Sequence, residues 1–100
     1  MTKIYNKEDL GISTKRIKSI APKPEYKLEV IYEDGSVVLY DVKDDIDTID
    51  AFRILESEPG LFESVQLDES GTCVYWNDDI DLASDTIYEY GEKIASNEEA

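Results

Sequence analysis

The groups that could do chemistry in this 100-residue chain are its carboxylates, one thiol and a set of aromatic rings. Histidine is absent, so His-based triads, Cys-His pairs and imidazole metal sites are excluded by inventory. Cys73 is the single cysteine, placed mid-strand in an acidic chain whose field raises a thiol pKa, so it is expected to be a small strand residue and not a nucleophile. Carboxylate pairs suited to general acid–base work are plentiful. Among 24 acids, however, some pairs fall close together by chance, and no reaction follows from proximity alone. Asn77, Asp79 and Asp81 match the first three ligand positions of a calcium-binding loop, but Leu82 stands where that loop needs glycine and Tyr88 where it needs a bidentate Glu. Asp44, Asp45 and Asp47 also lack a glycine turn. No metal and no cofactor are therefore expected beyond weak, nonspecific calcium binding, and no glycine-rich phosphate loop precedes a helix.

Charge carries more information. The chain holds 24 acids and 10 bases, a net charge of −14. Residues 1–27 contain seven of the bases (Lys3, Lys7, Lys15, Arg16, Lys18, Lys23, Lys27) and three acids, whereas residues 28–100 contain the other three bases and 21 acids. Such a field repels nucleic acid over most of the surface, because binding draws on cations that displace phosphate counterions. It attracts basic proteins, or it simply keeps a small domain soluble. The lone cysteine suits a reducing compartment. Met1 to Asn6 runs into charges with no apolar stretch, and no apolar run approaches the ~18 residues of a membrane span, so a cytoplasmic protein without membrane contact is expected.

The elements that must position these groups centre on Tyr26 to Val42, two alternating apolar runs around Asp34-Gly35, a strong hairpin signal. With Asp34 and Gly35 as a two-residue loop, Tyr32 faces Val37, Val30 faces Leu39 and Leu28 faces Asp41. Lys27, Glu29, Glu33 and Ser36 then share the opposite face with Ile31, Val38, Tyr40 and Val42. Arg16 to Ala21 reads as a short strand whose end Pro22 and Pro24 confine to an edge or a connection. Asp47 or Thr48 is expected to cap a helix carrying Ile49, Phe52 and Leu55, with Asp50 in its first turn and Glu58-Pro59-Gly60 as its stop. Leu61 to Leu67 and Thr72 to Trp76 form a second hairpin around the Asp68–Gly71 turn. A polar connection pinned by Ile80 and Leu82 follows. Ser84 then caps a last amphipathic helix with Asp85 in its first turn and Ile87, Tyr88, Gly91, Ile94 and Ala95 along its apolar side. The expected architecture is α+β: one antiparallel sheet of about five strands with one helix between the hairpins and one at the C-terminus. Its domains are an arm at 1–14, a single domain at 15–95 and a frayed tail at 96–100. Tyr26 and Tyr32 are expected in the core; Tyr40, Tyr75 and Tyr90 remain open between core and interface.

The stretch Trp76 to Tyr88 (Trp-Asn-Asp-Asp-Ile-Asp-Leu-Ala-Ser-Asp-Thr-Ile-Tyr) resembles the closing motif of the bacterial domain-of-unknown-function family twenty-four forty-two. Trp76, Asp81, Leu82, Asp85, Ile87 and Tyr88 match its register. Tyr32-Glu33-Asp34-Gly35 resembles the family's Asp-Gly turn, and Gly60 to Val65 the start of its next strand. The likeness covers roughly residues 15–92. Asp79 stands where the family usually has Gly and Ser84 where it has Pro. If that Gly serves a positive φ, Asp79 would bear it with strain. The resemblance implies a compact α+β fold with an antiparallel sheet, no established enzymatic activity and no cofactor; members are commonly labelled antitoxins because their genes neighbour small toxin-like genes.

Composition, spacing and motif alone establish a small acidic α+β domain and no activity. Joined to the resemblance, they lead to a non-enzymatic, antitoxin-like binding module whose partner is a basic protein. The candidate partner-binding residues are Asp44, Asp45, Asp47, Asp50, Trp76, Asp78, Asp79, Asp81, Asp85 and Tyr88. Two alternatives stand beside it: a DNA-linked regulator using Lys3 to Lys27 as a phosphate-contacting arm, and a small-molecule-binding or enzymatic domain using carboxylates such as Asp81 around Trp76. An exposed sheet edge could also pair two copies.

Overall fold

The computed structural model describes residues 15–95. The arm at 1–14 with Lys3 and Lys7, and the tail at 96–100, lie outside the described residues. Within them run β1 (Ile17–Lys23), β2 (Lys27–Tyr32), β3 (Val37–Asp41), α1 (Val42–Thr48), α2 (Ile54–Ser57), β4 (Gln66–Leu67), β5 (Cys73–Asn77), β6 (Ile80–Ala83), α3 (Ser84–Tyr90) and β7 (Glu92–Ala95). Single 3-10 turns occupy Pro24–Tyr26, Asp50–Arg53 and Phe62–Ser64. The strands form two antiparallel sheets, β1-β2-β3-β7 and β4-β5-β6, in place of the single sheet expected.

The central hairpin lies where Asp34-Gly35 puts it, with a different register. Val30 pairs with Val38, Leu28 with Tyr40 and Lys27 with Asp41. The loop is three residues long: the Tyr32 N–H donates to the Ser36 carbonyl at 2.8 Å, the Gly35 N–H to the Tyr32 carbonyl at 3.0 Å, and Gly35 takes φ +94°. Alternation makes a one-residue slip exchange faces. Val38, Tyr40 and Val42 therefore join Leu28, Val30 and Tyr32 in the core, and Val37, Leu39 and Asp41 are only half-buried. Burial decides this, since each enclosed aliphatic side chain contributes roughly 1.5–3 kcal/mol. The two-residue register would have turned the Asp41 carboxylate inward instead.

Freed from the core, Asp41 accepts the Lys43 N–H at 3.0 Å and starts α1 at Val42, several residues before the expected cap at Asp47 or Thr48. Val42 and Ile46, one turn apart, are its buried face. The backbone is extended at Ile49, and the Asp50–Arg53 turn and the short α2 follow, burying Phe52 and Leu55 but leaving Ile49 exposed. Leu61 to Leu67 is mostly not strand: the turn at Phe62–Ser64 drives Phe62 into the core before the brief β4. The Asp68–Gly71 turn forms as expected, closed by the Gly71 N–H on the Asp68 carbonyl at 2.8 Å with φ +77° at Gly71.

The connection after Trp76 is a second tight hairpin. Ile80 and Leu82 are buried on one face of β6, alternating with exposed Asp81 and Ala83. Ser84 is the first residue of α3 and is itself buried; Ala83 holds the N-cap position. α3 stops at Gly91, and Glu92–Ala95 adds to β3 as an edge strand where a continuing helix was expected. Glycine is required at 91 by close approach: a Cβ there would collide with the buried Val38 side chain and come within 2.7 Å of the Ile87 carbonyl.

The sheets meet through the backbone and through rings. The Ile17 N–H donates to the Gly71 carbonyl at 2.7 Å, and the Ser84 Oγ to the Lys15 carbonyl at 2.6 Å. Phe62 packs edge-on with Tyr26 (centroids 5.3 Å apart) and stacks on Trp76 (6.1 Å), which Phe52 also meets at 6.2 Å. Among the described residues, no helix is long and apolar enough to cross a membrane.

Candidate functional site

The acids expected on a partner-binding surface divide into two groups. In and after α1, Asp44 is exposed, Asp47 lies 3.2 Å from the Lys43 ammonium and Asp50 lies 3.5 Å from the Arg53 guanidinium. Asp45 is half-buried and accepts the Tyr40 hydroxyl at 2.7 Å. Burial raises its pKa, the Tyr40 bond opposes this, and neighbouring Asp44 and Asp41 push the same way as burial. Burial, followed by the Asp45 bond, raises that of the Tyr40 hydroxyl in turn. Asp45 and Tyr40 thus form an internal pair more than a docking surface.

In the second group, Asp78 and Asp79 occupy the exposed β5–β6 turn, and Asp81 is exposed opposite Tyr75 in the ladder. Asn77 accepts the Asp79 N–H at 2.8 Å through its side-chain oxygen, an Asx turn that accounts for the apparent calcium-ligand spacing. Asp79 carries no positive φ; the non-glycine residues that do, among those described, are Glu25 and Tyr26. No group of three carboxylate or thiol side chains among the described residues is arranged to hold a metal ion. Cys73 is half-buried, and burial together with Asp68 and Asp81 raises its thiol pKa. Trp76 is enclosed in the core, its indole N–H donating to the Phe62 carbonyl at 2.9 Å.

Asp85 and Tyr88 are linked through Lys15, a residue the motif did not include, by its backbone N–H and its ammonium respectively. The Lys15 N–H donates to Asp85 at 3.1 Å, and the Lys15 ammonium meets Asp34 at 2.7 Å and lies 4.5 Å from the Tyr88 ring centroid. Lys93 approaches the same ring at 4.4 Å. The Lys15 bond, followed by the Ser36 bonds, lowers the Asp34 pKa to about 2. Among the described residues no ion pair or hydrogen bond joins the α1 acids to those of β5–β6. Arg16, Lys23 and Lys27 are engaged in the same way, with Glu33 (3.7 Å), Glu29 (3.9 Å) and Asp41 (3.7 Å), whereas Lys18 is exposed and in no described ion pair.

A groove of about 280 Å³ opens beside the α1 group, between the β1–β2 loop and the segment that links α2 to β4. Its loop side is Pro24, Glu25 and Tyr26, and its far side is Glu58-Pro59-Gly60, with Leu55 and Phe62 beneath. Glu25 (φ 64°) and Tyr26 (φ 61°) both adopt the left-handed conformation that L-residues rarely take, and the edge contact with Phe62 holds Tyr26 in it. Glu25, Glu56, Glu58 and Glu63 rim the opening, with Lys23 beside them. Sequence reading missed this site, because its two walls come from loops about 30 residues apart whose only local mark is proline.

Comparison with known families matches residues 17–93 to the family described as a protein of unknown function, DUF2442. The chain belongs to the DUF2442 family. The DUF2442 match spans β1 to the middle of β7, so it takes in all three α-helices, the three-stranded sheet and all but the end of the four-stranded one. No curated protein and no solved structure matches the chain. The DUF2442 description assigns no activity, and the antitoxin expectation gains no support from it.

Proposed function

We propose that this domain is a non-enzymatic binding module that recognises a protein with a basic surface. The observation that carries the reading is the distribution of charge. Lys15, Arg16, Lys23 and Lys27 are each spent on a carboxylate of the central hairpin, whereas Asp44, Glu58, Glu63, Asp78, Asp79 and Asp81 are exposed and in no described ion pair. The surplus of a −14 chain therefore points outward from α1, the α2–β4 segment and the β5–β6 turn. Long-range attraction speeds the encounter with a cationic partner, and contacts at close range hold it. A small RNA-directed toxin would be one such partner.

The same pairing weighs against the DNA-linked reading, because four of the cations it needs are already neutralised within the domain. An enzymatic reading around Trp76 loses its centre, since that ring is buried among Phe52 and Phe62. The test is capture of partners by the tagged protein from its own cell lysate at low salt, followed by association kinetics of the purified pair. The reading expects a basic protein whose association rate falls steeply as salt rises. An on-rate indifferent to salt would overturn it.

A further inference from the structure

We propose that the groove between the β1–β2 loop and the α2–β4 segment receives a single arginine side chain of that basic partner; the inference rests on the binding-module reading and gives it a point of attachment. At about 280 Å³ the groove lies at the small end of the ~300–1,000 Å³ typical of small-molecule pockets and has room for one long side chain. Its lining is mixed, more polar than apolar, and its mouth is anionic. Pro24, Tyr26 and Pro59 offer the surface along which an aliphatic stem lies, and Glu25, Glu58 and Glu63 stand where the charged head would emerge.

These three carboxylates have no described ion-pair partner. Of the cations nearest the groove, Lys23 pairs with Glu29 at 3.9 Å, away from the opening, and Lys43 takes the rim carboxylate Glu56 at 2.7 Å, which leaves Glu25, Glu58 and Glu63 for an occupant. An anionic occupant is excluded by this rim, and the described acids are not grouped to hold a metal ion. Arginine is preferred over lysine for a geometric reason. A guanidinium fork reaches two carboxylates at once, sheds water more readily than an ammonium and stacks on an aromatic ring such as Tyr26. The site is also preformed, because the left-handed backbone at Glu25 and Tyr26 and the Tyr26–Phe62 contact fix the wall before anything binds.

The experiment titrates the full chain, observed by amide NMR, with acetyl-Gly-Arg-Gly-amide and with the same peptide carrying lysine or citrulline. Saturable shifts are expected at Glu25, Tyr26 and Gly60, weaker binding of the lysine peptide, and about a tenfold or greater loss with citrulline, which keeps the shape and lacks the charge. The exposed double variant E58Q/E63Q should lose affinity by a similar factor, and D78N/D79N at the β5–β6 turn should not. Equal binding of the lysine peptide, shifts of equal size at Asp44 and Asp78, or indifference to E58Q/E63Q would each overturn the arginine groove. If E58Q/E63Q binds the basic partner as tightly as the unaltered chain, the groove falls and the binding-module reading stands. If no salt-dependent basic partner exists while the arginine peptide still saturates the groove, that reading falls and the groove stands.

Discussion

The Tyr32 hydroxyl donates to the Ser84 carbonyl at 2.9 Å, joining the end of β2 to the start of α3 across 52 positions of sequence. Both residues are buried, and Ser84 reaches on through its Oγ to the Lys15 carbonyl at 2.6 Å. The edge-on contact of Tyr32 with Tyr88, 5.5 Å between centroids, lies over the same junction. This corner ties the helix to the four-stranded sheet.

Tyr32→Phe keeps the ring and removes the bond, so it should lower stability by about 1 kcal/mol. For a domain of this size that is a fall in Tm of roughly 4–8 °C, measurable by thermal or urea unfolding. An unchanged midpoint would show that the hydroxyl is satisfied equally well in another way.

Gly91→Ala should destabilise by roughly 1–3 kcal/mol, because the added methyl meets Val38 in a packed core. The backbone at 91 has φ −82°, so conformational strain plays no part. Combining it with Val38→Ala in a urea-melt cycle should give a cost smaller than the sum of the two single changes. Strict additivity would place the penalty elsewhere.

Asp34 provides a pH test. Its folded pKa lies at about 2, below the ordinary value of 3.8, because Lys15 and Ser36 bind the ionised form. A depressed carboxyl pKa contributes stability that is complete above the unfolded value and lost as pH falls through the folded one. Asn at this position retains an oxygen for the Ser36 N–H and loses the charge facing Lys15. The stability gap between the unaltered chain and Asp34→Asn should therefore be widest near neutrality and close between about pH 4 and pH 2, as read from urea melts.

Salt separates surplus charge from paired charge. At −14 the domain repels itself, and screening should raise Tm between about 10 mM and about 500 mM sodium chloride. A falling Tm would mean that pairs such as Lys15–Asp34 outweigh the repulsion.

Much of this was legible in the residues themselves. Asp34-Gly35 located the central hairpin, Pro22 marked β1 as an edge strand, the Asp68–Gly71 turn formed where its residues placed it, and the residues from Trp76 to Tyr88 carried the family. Local chemistry suffices for these, since a turn is decided by which residues tolerate its φ angles. The register was not decided locally: a two-residue and a three-residue loop both accommodate Asp-Gly, and only enclosure of Val38, Tyr40 and Val42 selects one. β6 and β7 escaped notice because each has four residues, too few for a period to distinguish strand from helix or connection, and they exist because β5 and β3 offer free edges. The groove exists for a similar reason. The sequence by itself determined the charge, the turns and the family, whereas only the tertiary structure brought Tyr26 against Phe62 and so placed two distant loops around one opening, because such contacts depend on packing between segments that share no local signal.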